Sequence, residues 1–222
     1  MIPFLTAPDA GEAPEIEVLR GALDSYHDRF GPHHPLVLAV AERLALAWWR
    51  QGDAGRALEL LDQTVQSLPE DADSQRADLL DLVWKIFFEH GQFEPASRIL
   101  EEVLERRVRA GGPFHPDSLA AQGDLAIVLY RMGRREQAEA LSRHALEDAR
   151  GHLGMRDPVT CIIAWNAVLA AEHRNDAQAA CRIAAANLFW LLDEEPANLD
   201  ADLREIREWL AGRFGWNTAP VC

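Results

Sequence analysis

The apolar positions of this chain keep a long register. Leu44, Val83, Leu125 and Ala167 each stand eight residues ahead of a turn-forming residue, Gly52, Gly91, Gly133 or Asn175. Those turn residues are separated by 39, 42 and 42 residues, and five residues beyond each comes a small one: Ala57, Ala96, Ala138 or Ala180. His-Pro or Asp-Pro recurs at His34-Pro35, His115-Pro116 and Asp157-Pro158. Markers that hold one register define an internal repeat, which decides the fold before any local propensity does. The repeat predicts pairs of helices. Gly, or Asn as second choice, takes the left-handed conformation that ends the first helix of a pair. The alanine lies where the two helices cross and lets them approach. Proline in the first turn of the next helix removes no hydrogen bond, because those amides have no helical partner.

The register extends past the four pairs. Gly31 and Gly154 are in phase, so Glu15 to Phe30 falls in the place of a second helix whose partner is missing. At the other end, Asn198 to Arg213 carries Leu199, Leu203, Ile206 and Leu210 at helical spacing with a polar opposite face, which predicts a capping helix. The loop Leu68-Pro69-Glu70-Asp71-Ala72-Asp73-Ser74 is the most linker-like stretch, yet it is too short to separate domains.

The stretch Leu44-Ala45-Leu46-Ala47-Trp48-Trp49-Arg50-Gln51-Gly52-Asp53-Ala54-Gly55-Arg56-Ala57, followed by Pro69, resembles a tetratricopeptide repeat. The longer spacing, with Gly31-Pro32-His33-His34-Pro35 and Phe114-His115-Pro116-Asp117-Ser118-Leu119 opening repeats, is similar to the repeats of kinesin light chains and of many bacterial proteins. The resemblance covers roughly residues 13 to 192. It implies an all-α fold, an α-α superhelix or tetratricopeptide-type solenoid of about four helical hairpins plus an N-terminal half-repeat and a C-terminal capping helix. The expected organisation is a flexible N-terminus (1–12), one repeat domain (13–213) and a C-terminal tail (214–222). Within the domain the repeats span about 36–69, 72–110, 116–153 and 157–192, and the capping helix 198–213. Two places depart from the pattern: Trp84 stands where a small residue is usual, and the fourth repeat has Asn175 for the turn glycine and Ala at several large positions.

In such arrays the first helices line a concave face, and residues three positions before the turn marker point into it. Carried onto this chain, those are Trp49, Phe88, Tyr130 and Glu172. The next position adds Arg50, Glu89, Arg131 and His173, and ten residues before the marker come Glu42, Asp81, Gly123 and Trp165. Asn166 stands where these repeats often bond an extended peptide backbone. The expected site is therefore Trp49, Arg50, Phe88, Tyr130, Arg131, Trp165, Asn166 and His173, with another protein or a peptide as the partner. Aromatic rings supply rigid contact area and arginines forked donors for carboxylates. Trp49 and Phe88 read equally as hairpin core, and Asn166 as an ordinary surface residue.

Charge narrows the partner. The chain carries a formal charge of -14, which opposes non-specific nucleic-acid binding. Between Arg106 and Arg174 there are 10 Arg against 8 acids, so any basic surface is expected at the third repeat. The acidic runs Glu70-Asp71-Ala72-Asp73 and Asp193-Glu194-Glu195 read as solvated loops. No apolar run reaches membrane-spanning length, and Met1 to Asp9 lacks the features of a secretory leader, so a cytoplasmic location without a membrane partner is expected. Cys161, Cys181 and Cys222 show no paired spacing and are expected to be reduced. A sole lysine, Lys85, among many arginines and abundant Ala resembles the usage of GC-rich bacterial genomes.

Chemistry finds little support. His33 and His34, with His27 and His115 as helpers, lack a metal-ligand spacing. Ser142 and His144 are two apart and lie on different sides of a helix. Gly111-Gly112-Pro113 is a turn, not a phosphate loop. No cofactor, metal or catalytic residue is expected, and the leading function is a scaffold or adaptor. A regulatory peptide sensor and an accessory subunit of an enzyme are the alternatives. The apolar residues Phe189, Trp190, Trp209, Phe214 and Trp216 predict either closure of the last hairpin or a homodimer contact at the C-terminal end.

Overall fold

A computed structural model describes residues 13 to 214. Residues 1–12 and 215–222 lie outside them, and with them the expected flexible N-terminus, most of the expected tail, Trp216 and Cys222. The described residues are helical, with no strand among them, and fall into two compact units that divide after Ala110. The first holds α1 (Ala13–Phe30), α2 (Pro35–Arg50), α3 (Ala54–Ser67), α4 (Asp73–Glu89) and α5 (Phe93–Gly111). The second holds α6 (Pro116–Arg131), α7 (Arg135–His152), α8 (Pro158–His173), α9 (Ala177–Asn187), α10 (Trp190–Asp193) and α11 (Ala201–Phe214).

Four hairpins, α2–α3, α4–α5, α6–α7 and α8–α9, carry the repeat, and they turn in the same way. Gly52, Gly91, Gly133 and Asn175 have φ of 84°, 71°, 79° and 58°, and Asn175 is the one non-glycine residue with positive φ among those described. The amide of each turn residue bonds the carbonyl three residues back: Gly52 to Trp49, Gly91 to Phe88, Gly133 to Tyr130 and Asn175 to Glu172, at 2.9 to 3.0 Å. The following amide reaches five back, from Asp53 to Trp48, Gln92 to Phe87, Arg134 to Leu129 and Asp176 to Ala171, at 2.9 to 3.0 Å. This double closure satisfies carbonyls that the helix end would leave bare. Asp53 and Asp176 then cap the second helices through bonds from the amides of Arg56 and Ala179. The crossing alanines Ala57, Ala96, Ala138 and Ala180 are buried, as are Leu44, Val83 and Leu125, whereas Ala167 is half-buried. The X-Pro residues are the caps of the first helices. His34 and His115 accept through Nδ1 from Leu36 and Asp117, and Asp157 accepts from Val159 at 2.9 Å.

In the first unit α1 packs on α2, where Ile16 and Leu19 meet Leu44 and Ala47, with Trp48 and Leu60 against them. The loop before α4 is stapled rather than loose: Arg76 bonds the Leu68 and Pro69 carbonyls. Asp73, expected in a solvated acidic loop, instead opens α4 and is gripped by Arg106 and Arg109 of α5 at 2.9 to 3.0 Å. Hydrogen bonds from the two guanidiniums, Arg109 foremost, hold its carboxyl down at about 2. Trp84 does not disturb the second hairpin. It is fully buried, donates Nε1–H to Asp81 at 2.9 Å and meets Phe88 edge-on at 6.1 Å, while Phe88 meets Phe93 at 5.4 Å.

In the second unit α6 and α8 run closely side by side. A Cβ on Gly123 would lie 3.0 Å from Cγ1 of buried Ile163, so glycine at this position sets the approach. The fourth hairpin is shorter than the expected 157–192. α9 stops at Asn187, where Leu188 and Phe189 both donate to the Ala184 carbonyl and Trp190 Nε1–H donates to the Asn187 carbonyl. After a 3-10 turn at Pro196–Asn198, Asp200 caps α11 by accepting from Leu203. Leu203, Ile206, Leu210 and Ala211 bury the inner face of α11. Trp209 stands edge-on to Trp165 of α8 at 4.6 Å, and Phe214 meets both Phe189 and Trp209. Closure of the last hairpin is therefore what these aromatics do. The expected homodimer contact has no support: among the described residues, Phe189, Trp190, Trp209 and Phe214 all have partners within the chain. Cys161 is free, as expected; it is also buried, and burial pushes its thiol up to about 12. Cys181 is disulfide-bonded, against the expectation of reduced thiols, because spacing along the sequence does not tell which cysteines meet. No described helix is long and apolar enough to cross a membrane.

Candidate partner-binding site

The eight predicted residues divide by accessibility. Trp49, Phe88 and Trp165 are 6, 6 and 1% exposed, so their rings belong to the hairpin cores and not to an open face. Sequence spacing gives the right helix face, but the same face is shared between a ligand and the neighbouring helix, and a large apolar ring goes where water is excluded. For Trp165 the neighbour is Trp209 of α11. Glu172, at the corresponding position of the fourth repeat, is engaged at 3.2 Å by Arg213, also of α11.

The polar members remain at the surface. Tyr130 and Arg50 are half-buried, Arg131 and His173 exposed. Asn166 is half-buried, and its Oδ1, shielded from solvent, accepts no hydrogen bond. His173 turns Nδ1 to the Leu169 carbonyl at 2.7 Å. Tyr130 and Arg131 end α6, Asn166 and His173 stand on α8, and these two first helices are direct neighbours. The second unit thus presents a phenol, a guanidinium, an amide and an imidazole on adjacent helices.

The first-helix face of the first unit has the opposite character. Glu42 of α2 is raised above the ordinary carboxylate range by burial and then by Asp78 and Asp81 of α4. Asp81 accepts from Trp84 and Lys85, with Arg107 at 3.6 Å. Sequence reasoning does not single out the part played by Asp78 and Lys85. The i, i+3 and i+4 spacing of Asp81, Trp84 and Lys85 is the signal that could have found it. The expected basic surface is also smaller than the count of arginines: Arg106 and Arg109 hold Asp73, Arg107 faces Asp81, and Arg174 pairs with Glu139 at 3.2 Å. Among the described residues no group of three or more His, Cys, Asp or Glu could hold a metal ion.

Helical hairpins with a recurring left-handed turn, a crossing alanine and a capping helix define a tetratricopeptide-type solenoid. Residues 85–150 match the profile of the tetratricopeptide repeat family. Among solved structures, the chain is similar to BtubC (BKLC) from P. vanneervenii, at 18% identity with a TM-score of 0.71 over 95% of this chain and 89% of that one. It is also similar to the nearly identical TPR-like repeats described as a kinesin light chain from Podosopora anserina. One structure of these has 23% identity and a TM-score of 0.61 over 76% of this chain and 81% of that one. A variant form of the same repeats has 21% identity and a TM-score of 0.63 over 89% of this chain and 85% of that one. No curated protein matches.

Proposed function

We propose that this chain is a protein- or peptide-binding scaffold without catalytic activity of its own, and that it holds a partner segment on the first-helix face of its second unit. The reading rests on one observation. Tyr130, Arg131, Asn166 and His173 stay accessible on the adjacent helices α6 and α8, while the aromatic rings expected beside them are enclosed. The Tyr130 hydroxyl suits a backbone amide or carbonyl of an extended segment, and Arg131 suits a carboxylate. Tetratricopeptide-type folds serve in general as interaction scaffolds, which supports the class of function and leaves the partner to be found. Pull-down from the native host with wild type, Tyr130→Ala and Arg131→Glu is the test. Loss of the same partner in both variants is expected, and unchanged recovery in both would exclude this face.

A further inference from the structure

The three proline-led helix starts differ in one respect, the chemistry of the cap. Proline has no amide, so the first donor of each helix is the residue after it: Leu36 in α2, Asp117 in α6 and Val159 in α8. Each donates to the cap side chain: Leu36 to Nδ1 of His34 at 3.2 Å, Asp117 to Nδ1 of His115 at 3.3 Å, and Val159 to Oδ1 of Asp157 at 2.9 Å. A backbone amide only donates, so the two histidine caps exist only while Nδ1 is unprotonated. A second proton on the ring makes Nδ1 a donor facing a donor, and sets a positive charge where the helix dipole is itself positive. Histidine gains that proton between about pH 5 and 8, whereas a carboxylate keeps its acceptor well below that range.

The two rings have different surroundings. The first turn of α2 has no acid, the residue before His34 is His33, and no carboxylate is paired with His34 among the described residues. From α1, Phe30 stacks on the His34 ring at 4.6 Å, and Arg29 lies 5.1 Å over the same Phe30 ring. His115, by contrast, has the Asp117 carboxylate 3.6 Å from its Nδ1. It is also seated against Gly111, where a Cβ would come within 2.7 Å of the imidazole Cγ. Once protonated, Nδ1 of His115 has an acceptor in that carboxylate in place of the amide of the same residue.

We propose that the start of α2 is a proton-operated joint. Neutral His34 closes the first turn of α2, and as the pH falls through the imidazole range the Leu36 amide is released and that turn frays. The bond needs the neutral ring, so its contribution is full above this range and lost below it. Over the same range the start of α6 exchanges one bond to Asp117 for another, and the start of α8 stays closed on Asp157. Three starts that share one backbone pattern are thereby graded in their response to acid. The joint belongs to the first unit and does not rest on the partner-binding reading above.

The test is a titration of the full chain from about pH 8 to 5 by proton–nitrogen correlation spectroscopy, with the His34 ring followed in parallel, on wild type, His34→Asp and His34→Ala. In wild type the Leu36 amide is expected to shift with protonation of the His34 ring. Its exchange, relative to the intrinsic rate at each pH, is expected to accelerate about 5-fold, while the Val159 amide stays unchanged. His34→Asp gives α2 the cap that α8 already has and should keep Leu36 protected across the range; His34→Ala should leave it unprotected throughout. A Leu36 amide indifferent to the state of the His34 ring overturns the proposal. So does an equal acid response in His34→Asp, which assigns the effect to another group, or at Val159, which makes it a general loss of structure.

Discussion

Trp84→Ala sets the repeat pattern against the packing of this particular chain. The pattern has a small residue at this position, and if the pattern governed, alanine would be neutral or stabilising. The structure says otherwise: the indole is fully enclosed, stands edge-on to Phe88 and donates to Asp81. Truncating a buried Trp to Ala typically costs about 3–5 kcal/mol because the surroundings collapse only in part. Within that, the ring pair accounts for about 0.5–1.5 kcal/mol. Asp81 is not stranded, since Lys85 and Arg107 stay beside it, so no further penalty for a bare carboxylate is added. The expected loss is about 4 kcal/mol, a large share of the roughly 5–15 kcal/mol of a typical domain. Urea unfolding followed by far-ultraviolet circular dichroism measures it. Because repeat arrays unfold in segments, hydrogen exchange on α4 and α5 localises the effect. A loss below about 1.5 kcal/mol, or a gain, refutes the reasoning and returns the position to the repeat pattern.

Gly123→Val forces a branched side chain against Ile163 and should lower stability by about 1–3 kcal/mol by chemical denaturation, with exchange protection falling in α6 and α8. Asn175→Gly should stabilise by a few tenths of a kcal/mol and Asn175→Ala destabilise by about 1, because the turn needs positive φ; equal midpoints for the two would contradict it. Asp73 has a depressed pKa, so its contribution is full above the ordinary carboxylate range and is lost as pH falls from about 4 through about 2. Asp73→Asn should remove that part of the acid sensitivity, read as the difference between wild-type and variant thermal midpoints across this range. Iodoacetamide at mildly alkaline pH should leave Cys161 unmodified in the native protein and label it in urea, as mapped by peptide mass spectrometry, since burial holds the thiol at about 12.

Most of the fold was legible because it rests on backbone requirements that only a few residues meet. Positive φ at Gly52, Gly91, Gly133 and Asn175, and full burial of Ala57 and Ala180 in the hairpins, leave marks in the sequence at fixed intervals. The break after Asn187 left no such mark, since it depends on Trp190 reaching back to a carbonyl. The candidate site was legible by position and not by role. Spacing puts Trp49, Phe88 and Trp165 on the first-helix face, yet whether a ring there meets solvent or a neighbour is a tertiary matter, decided for Trp165 by Trp209, far along the chain on α11. Charge misled in the same way, because a tally of arginines does not show that Arg106 and Arg109 both close on Asp73.

The doubly closed turn has a consequence for how such a chain can change length. Each turn is fixed by two bonds, from the turn residue and from the one after it, to carbonyls at set distances behind them, so removing a single residue just ahead of Gly91 or Gly133 would rotate the preceding helix by about 100° against its partner. Length can change without damage only in steps that return every turn to its own carbonyls. A whole hairpin, added or removed between one proline-capped start and the next, is such a step.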